Sequence, residues 1–243
     1  MPTYRINLAY DGTGFHGYAR QNGLRTVHGE FETALFHRTG EVATAVAGRT
    51  DAGVHAVGQV ISFSVATSLD TATLQRSLNS QLGPEIAVYG VSEVPDTFHA
   101  RFSATGRRYR YRIWNAPVHD PLSVRTTWHV YEPLDVAAME RAVAALVGTR
   151  DFASFCRKAP GRSTTRELRQ ATWKRAEDIV ELSIAANAFC HRMVRSIVAT
   201  SVEVGRGRLD TEGVLEILGE LDRSVGMGSA PPHGLTLMSV EYE

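Results

Sequence analysis

The sequence predicts an α+β protein made of two halves joined near residue 105. Two observations carry that expectation. Residues 1–104 alternate strand-like and helix-like patterns in the order β-α-β-β-α-β, and residues 105–243 run through a variant of the same order. A third observation, 43% apolar and 21% charged residues in a chain of 243, makes a packed core the expectation rather than disorder.

In the first half, residues 3–10 alternate as a strand, and 27–38 place Val27, Phe31, Leu35 and Phe36 at helical spacing before Gly40 stops the pattern. Strands are expected near 42–48 and 58–65. Asp70 is positioned to cap a helix through Leu82, Gly83-Pro84 breaks it, and 86–94 reads as another strand. This is the order of the ferredoxin-like split unit. The second half is expected to hold a strand at 106–114, a helix at 135–147, strands near 165–176 and 179–187, helices at 190–204 and 211–220, and a last strand at 234–242. The halves show no visible sequence similarity, so their kinship rests on element order.

Composition narrows the function. No stretch approaches the roughly 20 uninterrupted apolar residues of a membrane span, and MPTYRINLAYDG lacks the pattern of a secretory signal, so no membrane partner and a cytoplasmic location are expected. Cys156 and Cys190 are too few for a disulfide framework and are expected to be reduced. No metal-ligand spacing involves them, so no metal is expected. A formal net charge of zero argues against a uniformly basic RNA-coating protein while leaving room for a local basic groove. Five arginines fall between Arg101 and Arg112 with no acidic residue among them. The general excess of Arg over Lys is explained by codon bias as readily as by phosphate binding; the cluster is less easily dismissed.

The stretch AGRTDAGVHA at 47–56 is the most informative. The apolar run Val42, Ala43, Ala45, Val46, Ala47 precedes it, and Val60, Ile61, Phe63 and Val65 follow it, so it is a small-residue turn between two strands. Asp51 there is open to a planar ligand, with Arg49 placed to hold the carboxylate ionised and aimed. Asp-Ala-Gly is also ordinary turn chemistry, in which Asp caps its own backbone. His55 invites a dyad with Asp51, but a structural or RNA-contacting role fits a turn of this kind better. Gly12-x-Gly14-x-x-Gly17 follows a strand as a dinucleotide fingerprint should, yet helical periodicity begins only near Val27, so the required helix is missing. Those glycines, with Arg20 and Gln21, are expected to make a flexible loop that contacts RNA backbone. In RRYRYRI, period two sets Tyr109, Tyr111 and Ile113 on one face and Arg108, Arg110 and Arg112 on the other. A solvated arginine face and a phosphate-binding one are equally compatible with that pattern. On the helix from Cys190, His191 and Arg195 lie four apart, while Met193, Val194, Ile197 and Val198 look like core.

AGRTDAGVHA, followed in order by GQV at 58–60, FHARFSAT at 98–105, RRYRYRI at 107–113 and NAFCHRMVRSIV at 187–198, resembles the TruA-type tRNA pseudouridine synthases over nearly the whole chain. The resemblance implies two ferredoxin-like halves sharing a mixed, largely antiparallel sheet with a central RNA-binding cleft. It implies isomerisation of uridine to pseudouridine at positions 38, 39 and 40 of the tRNA anticodon arm, by a homodimer that needs no cofactor. It assigns catalysis to Asp51, base stacking to Tyr109, and to Arg195 a place beside the carboxylate; Arg49, Arg20, Gln21, Arg108 and Arg110 are the further candidates for substrate binding. The chain departs from the common family pattern where Tyr18-Ala19-Arg20-Gln21 stands in place of Trp-Gln-Arg-Gln. The rival readings are a catalytically silent RNA-binding module of the same fold and, more remotely, a Rossmann-like oxidoreductase.

Overall fold

A computed structural model describes residues 1–157 and 161–243, which fall into two compact units. The first comprises Met1–Thr105 and Thr236–Glu243, the second Gly106–Leu235. Both are α+β, and among the described residues there are ten strands and five α-helices.

In the first unit the order is β1 (Thr3–Tyr10), α1 (Val27–Thr39), β2 (Ala45–Val46), β3 (His55–Ser64), α2 (Thr71–Leu82) and β4 (Ile86–Val94). β1 pairs antiparallel with β3 on one side and β4 on the other. The remaining edge of β3 takes β2 at Ile61 and Ser62, and takes the last strand of the chain, β10 (Leu235–Tyr242), in parallel at His55 and Ala56. Both helices start where the sequence supplies a cap. Thr26 accepts the Gly29 N–H at 3.2 Å and Asp70 the Thr73 N–H at 2.7 Å, each satisfying an otherwise orphan donor. Tyr4, Ile6, Leu8 and Tyr10 share one face of β1 and are all buried, with Phe31 and Leu35 of α1 and Leu74 and Leu78 of α2 completing the core. Each such side chain contributes about 1.5–3 kcal/mol by leaving water.

The second unit contains β5 (Ala104–Trp114) from Gly106 onward, β6 (Trp128–His129), α3 (Val136–Ala144), β7 (Gly148–Asp151), β8 (Thr165–Ala176), β9 (Ile179–Ala186), α4 (Met193–Gly205) and α5 (Thr211–Gly219). Its strands run β5-β9-β8-β7, all antiparallel, with β6 added to β5 in parallel. Tyr111 and Ile113 are fully buried; the Tyr111 hydroxyl donates to the Pro231 carbonyl at 2.8 Å, giving the phenol a partner inside the core.

α4 begins at Met193 rather than near Cys190, because Arg192 takes the left-handed conformation (φ 67°) and closes off an earlier turn. The expectation of two reduced cysteines is corrected: Cys156 and Cys190 are joined as a disulfide, their Cα atoms 5.7 Å apart. They are 34 residues apart in sequence, but β8 and β9 fold back on each other between them and return the chain to the same place.

Candidate active site

Asp51 stands partly exposed in the turn between β2 and β3. The Val54 N–H closes that turn on the Asp51 carbonyl at 3.1 Å, and Gly53 supplies the positive φ, +77°, that it requires. Behind the turn lies a buried network. The Tyr10 hydroxyl is 2.8 Å from Thr50 Oγ1, Gln59 Nε2 donates to the Tyr10 oxygen at 3.2 Å and to the Gly48 carbonyl at 2.7 Å, and the Val60 N–H donates to Gln59 Oε1 at 3.2 Å. An amide nitrogen only donates, so Tyr10 accepts from Gln59, and its hydroxyl also shares a hydrogen bond with that of Thr50, the neighbour of Asp51. Burial pushes the Tyr10 phenol up to about 12, which keeps it a neutral donor.

The glycine loop presses on the same turn. The Tyr18 N–H donates to the Thr50 carbonyl at 3.0 Å and the Gly53 N–H to the Phe15 carbonyl at 3.4 Å. A Cβ at Gly12 would stand 2.1 Å from the Val54 carbonyl oxygen. One at Gly17 (φ +94°) would stand 3.0 Å from the Thr50 oxygen and 3.3 Å from the Asp51 carbonyl carbon. Gly12 and Gly17 therefore serve close backbone approach to the Asp51 turn, whereas a Cβ at Gly14 would meet the Glu85 carboxylate at 2.9 Å. His55 is buried and receives the Gly12 N–H on Nδ1 at 3.0 Å, with the Asp11 carboxylate 3.1 Å from the same nitrogen.

Of the other candidates in this unit, Arg49 is exposed, and its charge acts on Tyr18 and His28. Arg20, also exposed, reaches Glu32 at 3.4 Å, and Gln21 Nε2 donates to the His16 carbonyl at 2.7 Å. Tyr18, where the chain departs from the family pattern, is 1% exposed and stacks on His28 with ring centroids 5.4 Å apart. The altered ring is thus part of the packing beneath the loop.

The second unit holds Tyr109, Arg108, Arg110 and Arg195. Tyr109 is partly exposed on β5 and meets the Phe189 ring edge-on at 5.2 Å. Arg108 Nη1 donates to Gln170 Oε1 at 2.6 Å, and Arg110 lies 3.8 Å from Glu181 on the neighbouring strand. Arg195, in the first turn of α4, donates from Nε to the Ala230 carbonyl at 2.7 Å. The structure thus groups Asp51, Arg49, Arg20 and Gln21 in the first unit and the remaining four in the second.

Sequence reasoning assigned no role to Tyr10, Thr50, Gln59 or Phe189. A Gln inside the apolar run before Val60 was the available signal, since a fully buried amide must find partners. Among the described residues no group of His, Cys, Asp and Glu could hold a metal ion, and no helix is long and apolar enough to cross a membrane.

Comparison with known proteins decides the kinship. A family model described as tRNA pseudouridine synthase matches residues 7–103 and 142–243. The chain belongs to the tRNA pseudouridine synthase family. Among its relatives, the tRNA pseudouridine synthase A of Moorella thermoacetica is 44% identical over 100% of both chains. That of Frankia casuarinae is also 44% identical, over 98% of this chain and 88% of the relative, and that of an Enterobacter species is 41% identical over 99% and 91%. The matched family segments include Asp51 and Arg195, while Tyr109, Arg108 and Arg110 fall between them.

Proposed function

We propose that this protein isomerises uridine to pseudouridine at positions 38, 39 and 40 in the anticodon stem-loop of tRNAs, acting as a homodimer in the cytoplasm, with Asp51 as its catalytic carboxylate. The observation that carries the reading is the setting of Asp51: a partly exposed acid on a turn fixed from behind by Tyr10, Thr50 and Gln59, in a chain of this family.

The chemistry needs little beyond that. The bond from ribose C1′ to uracil N1 breaks, the base turns, and C1′ joins C5. N1 takes up a proton and C5 gives one up, so the change balances within the nucleoside. A held carboxylate serves as the covalent or electrostatic partner while the base is detached. The uridine must first leave its stack, which costs a few kcal/mol, and stacking on an aromatic ring such as Tyr109 offsets it by about 1–3 kcal/mol. Arg195, Arg49, Arg20, Gln21, Arg108 and Arg110 are the residues proposed to bind the RNA around it, Arg195 next to the chemistry.

Carbodiimide adduct mapping by primer extension on unmodified tRNA transcripts tests the site assignment. Stops at 38, 39 or 40 after treatment with the protein support it. Modification confined to another region of the tRNA would refute it.

A further inference from the structure

Three arginines that the roles above leave unused gather at the start of α4. Arg157 follows the short 3₁₀ turn Ala153–Phe155, Arg192 is the left-handed residue before the helix, and Arg223 opens the turn Arg223–Val225. Contacts bring these segments to one place. The Arg157 N–H donates to the His191 carbonyl at 3.0 Å, and the Cys156–Cys190 link joins the same two stretches. Arg223 donates from Nη1 to the Phe155 carbonyl at 3.4 Å and from Nη2 to Ser229 Oγ at 3.2 Å. Ser229 Oγ is in turn 3.3 Å from Ser196 Oγ on α4, and Ala230 exchanges hydrogen bonds with Arg195.

Asp222 turns its carboxylate to Ser224, and the charges that act on Arg223 are all of one sign. Arg157 and Arg192 are exposed, and neither makes an ion pair with a carboxylate among the described residues. Burial pushes the Arg223 guanidinium below the usual arginine value, and the charges of Arg192, Arg157 and Arg195 push it the same way. Gathering like charges raises the energy of the free protein, and an arriving anion relieves it. Guanidinium groups suit phosphate oxygens in particular, because their planar fork donates two parallel hydrogen bonds. α4 also begins without a side-chain cap; its Met193 N–H is taken by the Cys190 carbonyl at 3.0 Å, and the amides next in the first turn point the same kind of donor toward the N-terminus.

We infer that Arg157, Arg192 and Arg223 form a phosphate-binding cluster which, beside Arg195, takes the phosphodiester backbone of the RNA substrate. The inference rests on the proposed action on tRNA. An RNA chain fits better than a single free phosphate because the guanidiniums come from three segments and two of them are open to solvent. That makes a multi-charge surface rather than an enclosing pocket. A polyanion bound this way releases counterions, and its affinity falls with salt in proportion to the phosphates neutralised.

The test is the salt dependence of binding of an unmodified full-length tRNA transcript by the intact protein. Arg157→Gln with Arg192→Gln is expected to weaken binding about 10-fold or more near physiological salt. The slope of log affinity against log salt should fall by about one per arginine removed. Arg157→Lys with Arg192→Lys should keep most of the slope, and Arg38→Gln, on an exposed position of α1, should leave it unchanged. Arg223→Lys gives the same reading for the half-buried member without removing its charge. An unchanged slope in the double Gln variant, when the unsubstituted protein binds and isomerises tRNA, overturns the cluster. Failure of the unsubstituted protein to bind tRNA at all overturns the substrate reading, and the cluster with it. A thermal shift by inorganic phosphate at constant ionic strength that disappears in the double variant would assign the site to free phosphate and refute the RNA assignment.

Discussion

Phe189 shows how a residue without chemistry of its own can matter to Tyr109. Its ring meets that of Tyr109 at nearly a right angle, 5.2 Å between centroids, and so flanks the phenol on one side. Such pairs are worth about 0.5–1.5 kcal/mol beyond area burial. Phe189→Ala should therefore lower kcat/KM for tRNA several-fold, with Phe189→Leu only partly restoring it, as read by single-turnover assays. Equal kcat/KM in wild type and Phe189→Ala would show that Tyr109 needs no such support. At this scale the sequence was legible where residue type and chemistry coincide. A carboxylate in a small-residue turn announces itself, as Asp51 does. A Phe or a Gln does so only through partners that lie far off in sequence: Gln59 contacts Gly48 and Tyr10, and Phe189 contacts a strand eighty residues earlier.

Among the elements, β1, β3 and the Asp51 turn act as one device. Tyr10 ends β1, Gln59 sits within β3, and between them they fix Thr50. Tyr10→Phe removes the hydroxyl while keeping the ring, leaving Thr50 and Gln59 short of a partner in a buried place. The expected cost is about 1–3 kcal/mol in urea unfolding. Turnover should fall more than tRNA affinity, since the substitution loosens the carboxylate rather than the RNA contacts. The same hydroxyl sets an alkaline limit. The folded-state pKa of Tyr10, about 12, lies above the free value of 10.0. Its contribution is complete below pH 10 and is lost as pH rises toward 12. Tyr10→Phe should flatten that limb of the urea midpoint against pH.

The same scale explains what the sequence hid. α1 and α2 carry caps and periodicity, so their expected bounds nearly coincide with the observed ones. β6 has two residues and β7 reads Gly-Thr-Arg-Asp, too short or too polar to show alternation. The glycines of the loop after β1 were legible as turn formers. Their closeness to Val54 and Thr50 is a tertiary fact that spacing does not encode.

Over the whole molecule, the first unit is assembled from both ends of the chain. β10 lies in parallel on β3 next to the turn that carries Asp51, and it buries Leu237 fully and Leu235 and Val240 nearly so. Leu237 and Val240 fall within residues 236–243, so at about 1.5–3 kcal/mol each their removal costs about 3–6 kcal/mol, a large share of the 5–15 kcal/mol typical of a folded domain. The truncated protein should melt at least about 10 °C lower by circular dichroism, or fail to unfold cooperatively. Retention of the full-length melting temperature would show that β10 is dispensable. Charge also has to be read at this scale. A net charge of zero conceals a set of arginines around α4 that no total reveals, because Arg157, Arg192 and Arg223 are drawn from points up to 66 residues apart in sequence and meet only in the fold.

The proposed activity rests on Asp51 as the catalytic carboxylate. The direct measurement is release of tritium from tRNA labelled at uracil C5, comparing the wild type with Asp51→Asn at matched tRNA binding. Release is expected from the wild type, with a loss of at least about a thousandfold in the variant and tRNA affinity retained. Undiminished release by Asp51→Asn would contradict the assignment of the carboxylate. Absence of release from both proteins, with tRNA bound, would make the chain a silent RNA-binding module of this fold.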